Sequence, residues 1–204
     1  AAAGVIDFAT AIYLARERGR LMHEAGLKTA GGMAAIIGLD EMVITEICQA
    51  TNTWIANFNC PGQTVISGSK ENIEKAIELA KSKGAARAIP LQVSGAFHSP
   101  LMQPAMEGLT EIISRLTFKD PSVPVIANTT AQPLVRGNQM GGELTAQLLN
   151  SVQWQRSIEF MIENGVSTFA EIGPGKVLTG LIKRINRNAN VMNIGDVEAI
   201  KNLK

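Results

Sequence analysis

Residues 33–93, "MAAIIGLDEMVITEICQATNTWIANFNCPGQTVISGSKENIEKAIELAKSKGAARAIPLQV", alternate short apolar runs with amphipathic ones. The apolar runs predict four strands, over 33–39, 54–58, 64–68 and 86–93. Two helices are predicted between them, over 40–50 with Asp40 as cap and over 69–84 with Ser69 as cap. A Pro-Gly turn joins the two middle strands. The predicted order of elements is therefore β-α-β-β-α-β.

This order is the one found in ferredoxin-like folds, so we expect a ferredoxin-like subdomain at residues 27–94. The flanking residues 1–26 and 95–204 show a different pattern, in which helices alternate with predicted strands at 123–130, 167–173 and 191–195. Such alternation is typical of a parallel sheet. The predicted fold class is α/β, with the ferredoxin-like unit inserted into a parallel-sheet core.

The first predicted helix covers residues 7–26, with Asp7 as its cap and Gly26 as its stop. Helical spacing predicts an inward-facing stripe of Phe8, Ala11, Ile12, Ala15, Gly19 and Met22. Arg18 falls on that same side, and a charge on a buried face needs a partner or a function. The planar guanidinium suits a carboxylate ligand. The alternatives are a structural ion pair or a long side chain that reaches the surface.

Composition excludes several classes of function. The 19 Lys and Arg residues nearly balance the 18 Asp and Glu residues, so a net charge of +1 gives no field that would recruit nucleic acid or a membrane surface. No apolar run reaches the roughly 18 residues of a membrane span. Cys48 and Cys60 form no CxxC pair, which favours a reducing, cytoplasmic location. With two histidines and no CxxC, we expect no metal site, and no cofactor is predicted.

The most informative histidine is His98, in "VSGAFHSPLM" at residues 93–102. It follows a predicted apolar strand and precedes a Ser-Pro helix start, which is where α/β folds place reactive groups. The alternative is a surface or capping histidine. His23 lies in the last turn of the first helix and is interpreted as structural. Cys60, in its Pro-Gly turn, is a weaker candidate for a Cys-His enzyme.

Several segments together resemble one known family, the malonyl-CoA:acyl carrier protein transacylases. They are "AAGVIDFATAIYLARERGRLMHEA", "MAAIIGL", "NFNCPGQTVISG", "VSGAFHSPLM", "QLLNSVQW" and "EIGPGKVLTGLIKR". The resemblance implies an α/β-hydrolase-like core with a ferredoxin-like insert. It also implies ping-pong transfer of a malonyl group from malonyl-CoA, through an acyl-serine, to the phosphopantetheine thiol of acyl carrier protein. A cytoplasmic enzyme, monomeric when complete, is implied as well.

The resemblance also assigns roles to individual residues. His98 matches the histidine that takes the proton of the nucleophilic serine, and Arg18 matches the arginine that pairs with the malonyl carboxylate. Gln147 matches a residue whose main-chain carbonyl orients the histidine. Phe97 matches a position associated with malonyl over bulkier methylmalonyl units, and Asn59 matches a residue near the site with a less defined role.

The sequence departs from the family in one respect, because no Gly-x-Ser-x-Gly nucleophile elbow occurs in it. In the family the elbow lies shortly before the segment that matches "AAAGVIDF". We therefore expect this chain to be the C-terminal part of a transacylase and to be inactive alone. The serines that could replace the nucleophile are not on an elbow: Ser67, Ser69, Ser94 and Ser99. Ser99 adjoins His98 but is expected to cap a helix.

Two other functions are considered. A non-catalytic module that binds carrier protein or CoA would use a basic helix predicted over 176–187, which carries Lys176, Lys183, Arg184 and Arg187. RNA binding by the ferredoxin-like unit would need exposed aromatic residues on its strands. Trp54 and Phe58 are the candidates, and no basic stripe accompanies them.

Overall fold

The computed structural model describes residues 1–202 of the chain. This range contains eight α-helices and eight strands, joined by loops and short 3-10 turns. The helices are α1 Phe8–Lys28, α2 Glu41–Thr51, α3 Lys70–Ser82, α4 Gln103–Ile113, α5 Met140–Ala146, α6 Trp154–Glu163, α7 Val177–Ile185 and α8 Val197–Lys201. The strands are β1 Gly31–Ile37, β2 Trp54–Cys60, β3 Gln63–Ser69, β4 Arg87–Pro90, β5 Val125–Ile126, β6 Pro133–Leu134, β7 Thr168–Ile172 and β8 Asn190–Ile194. Within this range, no helix combines the length and the apolar character needed to cross a membrane.

Strands β1 to β4 form one antiparallel sheet in the order β2-β3-β1-β4. In the register of the central strand, Met33 lies opposite Ser67 of β3, and Ala35 lies opposite Ile89 of β4. The order of elements predicted for this part of the chain is the order observed. Strand β4 is shorter than predicted and stands at the edge of the sheet, where Pro90 is tolerated.

One face of this sheet packs against α2 and α3. Its core is built largely from β-branched residues, and Ile36, Ile66, Ile44 and Ile47 are fully buried there. Burial of each such side chain contributes roughly 1.5–3 kcal/mol before conformational entropy is considered. The apolar alternation seen in the sequence therefore has a direct structural counterpart in this layer.

A second apolar core lies between α1 and α4. Leu14 and Met22 of α1 meet Ala105 and Leu109 of α4. The predicted inward stripe of α1 was correct at Met22 but wrong at Phe8 and Ile12, which stay largely exposed because α4 covers a neighbouring face. The predicted stop at Gly26 was also wrong, since the helix continues to Lys28. The cap was correct, because the Asp7 carboxylate accepts a hydrogen bond from the backbone amide of Thr10 at 2.8 Å.

The predicted parallel-sheet core is only partly present among residues 1–202. Strands β7 and β8 form a parallel pair, with Phe169 opposite Val191. The strand predicted over 123–130 was wrong in extent and in pairing, because β5 has two residues and pairs antiparallel with β6. Ala131, in the left-handed region at φ 57°, turns the chain back too early for a longer strand to form.

The sheet is attached to the rest of the molecule along its edge strand β2. Val152 donates its amide to Ala56 at 2.8 Å and accepts from the Phe58 amide at 2.9 Å. The guanidinium of Arg156 lies 4.6 Å from the ring centroid of Phe58 and 2.7 Å from the Glu41 carboxylate. The segment just before Val152 is therefore held in a fixed position relative to the sheet.

Candidate active site

His98 lies in a tight turn between β4 and a short 3-10 turn at Pro100–Met102. Its backbone has φ 57°, a left-handed conformation that costs a side-chain-bearing residue about 1–2 kcal/mol. Such strain persists where the surrounding structure imposes it, and it is concentrated at functional sites. The Ser99 hydroxyl donates to the Ala96 carbonyl at 2.6 Å and closes the turn. Ser99 stands at the predicted N-cap position of the 3-10 turn, but its buried hydroxyl makes no capping hydrogen bond because it is committed to the Ala96 carbonyl.

Two glycines let the chain that leads into this turn lie directly against its neighbours. A Cβ on Gly26 would stand 2.3 Å from the carbonyl oxygen of Ser94. A Cβ on Gly31 would stand 2.6 Å from the amide nitrogen of Ala96. Both distances are far below an ordinary contact. The end of α1 and the start of β1 thus fix the direction in which the turn presents His98.

A main-chain carbonyl orients the imidazole of His98. Nδ1 lies 2.6 Å from the carbonyl oxygen of Gln147, in the turn that follows α5. Because a carbonyl only accepts hydrogen bonds, Nδ1 carries the proton and Nε2 is left as the basic nitrogen. Burial lowers the pKa of His98, the Gln147 and Asn150 carbonyls oppose that effect, and the positive charge of Arg18 lowers the pKa further.

Arg18 is a partly buried cation without an acidic partner in the described part of the chain. Its Nη2 donates to the side-chain oxygen of Gln147 at 2.9 Å, and its Nε is buried with no hydrogen-bond partner among residues 1–202. Burial lowers the pKa of this guanidinium. Arg18 and Gln147 line a largely apolar cavity of about 520 Å³. The ion-pair alternative raised by the sequence is therefore not what these residues form.

Gln147 brings His98 and Arg18 together. Its main chain holds His98 and its side chain holds Arg18, although the two residues are 49 and 129 positions away in sequence. The side-chain contact was not predicted, because nothing local in "QLLN" indicates a partner on the first helix. The result is a basic nitrogen and a guanidinium joined through one buried residue, which is 7% exposed.

Phe97 and Asn59 occupy different surroundings. Phe97 is partly buried and packs against two apolar clusters, the helical core between α1 and α4 and the cluster on the second face of the sheet that contains Met33. Asn59 lies where the pairing of β2 with β3 is irregular. Its side chain makes no hydrogen bond to residues 1–202, so no such bond connects it to Arg18 or His98.

The other chemical candidates are occupied by structural contacts. The Lys183 ammonium donates to the Ala189 carbonyl at 2.7 Å, and Arg184 donates to the side chain of Gln63 at 3.0 Å. Helix α7 is shorter than the predicted basic helix, which leaves Lys176 and Arg187 outside it. Over the range 1–202, no three His, Cys, Asp or Glu side chains are grouped in a way that could hold a metal ion.

Trp54 and Phe58 do not form a bare aromatic platform, because Arg156 covers the ring of Phe58 and both aromatic side chains are half-buried. Cys60 is buried at the end of β2, where its thiol lies 3.5 Å from the side-chain oxygen of Gln63. Neither arrangement matches the base-stacking surface or the Cys-His pair that the sequence left open.

Comparison with known proteins identifies a family. The family model of the acyl transferase domain matches residues 1–201. The chain belongs to this family. Its similarity to several individual proteins extends over almost its whole length.

The chain is 44% identical to the malonyl CoA-acyl carrier protein transacylase of Bacillus subtilis (strain 168), over 98% of its own length and 65% of that protein. It superposes on the acyl-carrier-protein-S-malonyltransferase of Bartonella henselae with a TM-score of 0.92 at 41% identity, covering 98% of this chain and 65% of that one. A third match is a malonyl-transacylase solved in complex with a type II PKS acyl-carrier protein, with a TM-score of 0.91 and 41% identity, covering 98% and 66%. The chain thus has a mixed α/β fold like theirs and spans about 65% of their length.

Proposed function

We propose that this chain contributes the base and the carboxylate-binding group of a malonyl-CoA:acyl carrier protein transacylase. The observation that carries the proposal is the double role of Gln147, which holds His98 at 2.6 Å and Arg18 at 2.9 Å. A buried cation paired only with a neutral amide favours an anionic ligand. A histidine with its Nδ1 proton fixed on a carbonyl has the form of a general base.

In the first half-reaction, Nε2 of His98 takes the hydroxyl proton of a nucleophilic serine as the serine oxygen bonds to the thioester carbon of malonyl-CoA. The carbon–sulfur bond then breaks, and the departing CoA sulfur receives that proton from the imidazolium. The product is an acyl-serine ester with free CoA. The Gln147 carbonyl supports the transient positive charge on His98, in the place that a carboxylate occupies in a Ser-His-Asp triad.

In the second half-reaction, the phosphopantetheine thiol of acyl carrier protein attacks the ester carbon and gives its proton to His98. The serine oxygen leaves and recovers that proton from the imidazolium. The malonyl group is now a thioester of the carrier protein, and serine and histidine have returned to their starting states. No net change in oxidation state occurs, so the sequence of steps needs no redox cofactor.

Arg18 would select malonyl over acetyl groups. A malonyl carboxylate can take bidentate hydrogen bonds from the guanidinium, including one from the Nε that has no partner in residues 1–202. An acetyl group would leave this buried donor unpaired, at a cost of about 1–3 kcal/mol. Phe97, which is wedged between two apolar cores, would limit the room for a bulkier methylmalonyl unit, and Asn59 would contribute near the site.

The nucleophile itself has no candidate among these 204 residues. No Gly-x-Ser-x-Gly occurs, and the serine nearest in sequence to His98, Ser99, has its hydroxyl committed to the Ala96 carbonyl. We therefore expect these residues alone to form no malonyl ester. Transfer requires a segment that supplies a serine elbow and its oxyanion-binding amides.

The same proposal extends to architecture and partners. We interpret residues 27–94 as a ferredoxin-like insert, and residues 1–26 and 95–204 as part of an α/β-hydrolase-like core. Malonyl-CoA and acyl carrier protein are the expected partners of a cytoplasmic enzyme that is monomeric when complete. The antiparallel order β2-β3-β1-β4 with two helices on one face supports the first interpretation.

The test is transfer from malonyl-CoA to acyl carrier protein, measured after these residues are joined to the part of the Bacillus subtilis relative that they do not match. His98→Ala should lower kcat by about 10²–10⁴-fold. Arg18→Ala should reduce malonyl transfer far more than acetyl transfer, whereas Arg16→Ala, on the exposed side of the same helix, should change neither. Full activity without His98, or equal losses on both substrates without Arg18, would refute the assignment.

The second candidate, a non-catalytic module that binds carrier protein or CoA, has less support, because Lys183 and Arg184 are engaged within the chain. Lys176 and Arg187 are the exposed cations of that region whose side chains make no hydrogen bond to residues 1–202. Charge reversal at both should abolish binding of an acidic carrier protein at low salt if this candidate is correct. Unchanged binding rejects it.

A further inference from the structure

We propose that Gln147 is a positioning residue that couples the two halves of the site, so that a carboxylate arriving at Arg18 strengthens His98 as a base. This inference rests on the proposed function, since it concerns the same residues. It goes further by making the substrate's own carboxylate part of what activates the base.

Gln147 contacts Arg18 with its side chain and His98 with its main chain. The Gln147 side chain is the only hydrogen-bond acceptor that the Arg18 guanidinium uses among residues 1–202, at 2.9 Å from Nη2. The carbonyl of the same residue lies 2.6 Å from Nδ1 of His98. Gln147 is 7% exposed, so its side chain cannot move freely without moving its backbone. The amide oxygen therefore stands where a carboxylate oxygen would bind, and it places Arg18 beside the base.

The cavity beside Gln147 is lined by two charged side chains, Arg18 from α1 and Glu143 from α5. The Glu143 carboxylate is held by the amide and hydroxyl of Thr129, at 3.0 and 2.6 Å, and so is committed elsewhere. The uncompensated charge of Arg18 lowers the pKa of His98. A bound carboxylate neutralises that charge, so the pKa of His98 rises when the anion is present.

The coupling affects how the site discriminates between malonyl and acetyl thioesters. An acetyl thioester brings no carboxylate, so Arg18 stays uncompensated and His98 remains the weaker base while that substrate is bound. A malonyl thioester removes the opposing charge in the same step in which it binds. Discrimination between the two therefore appears in the rate of acylation as well as in binding, which a carboxylate contact that did not affect His98 would not produce.

The 204-residue chain itself allows a direct test, because His98 and His23 are its only histidines. The imidazole signals of an untagged, ¹⁵N-labelled sample are titrated by NMR alone, with monomethyl malonate, and with methyl acetate, which lacks the carboxylate. Monomethyl malonate should move the titration midpoint of His98 upward. Methyl acetate should not move it.

Gln147→Glu tests the coupling without any ligand, because it puts a carboxylate of the same shape on Arg18. In this variant the His98 midpoint should already lie above that of the parent chain, and monomethyl malonate should bind at least tenfold more weakly, within the usual range of coupling between sites. Gln49→Glu, which adds the same charge on the exposed side of α2, should leave both properties unchanged. Arg18→Met removes the opposing charge and should also raise the titration midpoint of His98. This variant provides the test if Gln147→Glu does not fold.

The outcomes distinguish a failure of the proposed function from a failure of the coupling alone. If Arg18→Met changes neither the midpoint nor the affinity for monomethyl malonate, the carboxylate-binding role of Arg18 fails, and the proposed function fails with it. If monomethyl malonate binds in an Arg18-dependent way, while Gln147→Glu and the bound ligand both leave the His98 midpoint unmoved, the coupling alone is overturned.

Discussion

Replacement of Gly26 by alanine should disturb the turn that carries His98, although Gly26 belongs to the first helix and has no chemistry of its own. An added Cβ would stand 2.3 Å from the carbonyl oxygen of Ser94, so the two segments must separate by about 1 Å to restore a normal contact. The contact is to backbone, which no change of side-chain rotamer can relieve. Overpacking of this kind costs roughly 1–3 kcal/mol.

Gly19 provides the matched control, because it lies in the same helix with nothing within 4 Å of an added Cβ. Gly19→Ala should stabilise the chain by roughly 0.5–1 kcal/mol, the usual gain in an exposed helix interior. The free energy of unfolding of both variants is measured by urea denaturation of the 204-residue chain, followed by far-UV circular dichroism. Gly26→Ala should be less stable than Gly19→Ala by roughly 1.5–4 kcal/mol.

The same substitution should also appear in catalysis. A displacement of about 1 Å at a catalytic group costs on the order of 100-fold in rate, so Gly26→Ala should lower kcat by that order in the serine-complemented enzyme. Gly19→Ala should not. If Gly26→Ala proves as stable as Gly19→Ala and leaves the imidazole signal of His98 in place, the close approach of α1 to the turn does not position the histidine, and the reasoning is refuted.

Three further outcomes are expected. Burial lowers the pKa of His98 in the folded chain, so the unfolded state binds the extra proton, and the free energy of unfolding should fall as the pH drops below about 6.5, by at most about 1.4 kcal/mol per pH unit. His98→Asn tolerates the left-handed backbone and should remove this pH dependence, measured by urea denaturation between pH 6.5 and 5. An unchanged slope in the variant would contradict the prediction. Arg156→Ala should lower the free energy of unfolding by about 1 kcal/mol in the same assay, because it loses both an ion pair and an aromatic contact. Arg115→Ala, which removes an exposed helical ion pair, should cost less than half of that. Equal costs would show that Arg156 does not hold α6 against the sheet. Hydrogen bonds from Thr179, Leu178 and Asn193 lower the pKa of the Glu171 carboxyl and favour its charged form. Glu171→Gln should therefore lower the Tm at pH 7 and make the Tm less sensitive to acid below pH 4.5. A Tm profile equal to that of the parent chain would exclude that role.

Local chemistry explains why the β-α-β-β-α-β order could be read from the sequence. The strands carry buried β-branched residues such as Ile36 and Ile66, and their turns and caps, such as Ser69 before α3, lie within a few positions of the elements that they end. Helix α1 shows the opposite case. Its beginning at Asp7 is local and was correct, but its buried face depends on α4, some 90 positions away, and was wrong at Phe8 and Ile12.

The candidate site divides in the same way. The sequence by itself identified His98 and Arg18 as candidates, because a lone histidine before a Ser-Pro helix start and an arginine on a helix with apolar neighbours are exceptional in their own segments. Only the tertiary structure decided that they meet, that Arg18 has a neutral partner, and that Gln147 touches both. Contacts across 49 and 129 residues depend on how helices and turns pack, and no local propensity or spacing encodes that distance.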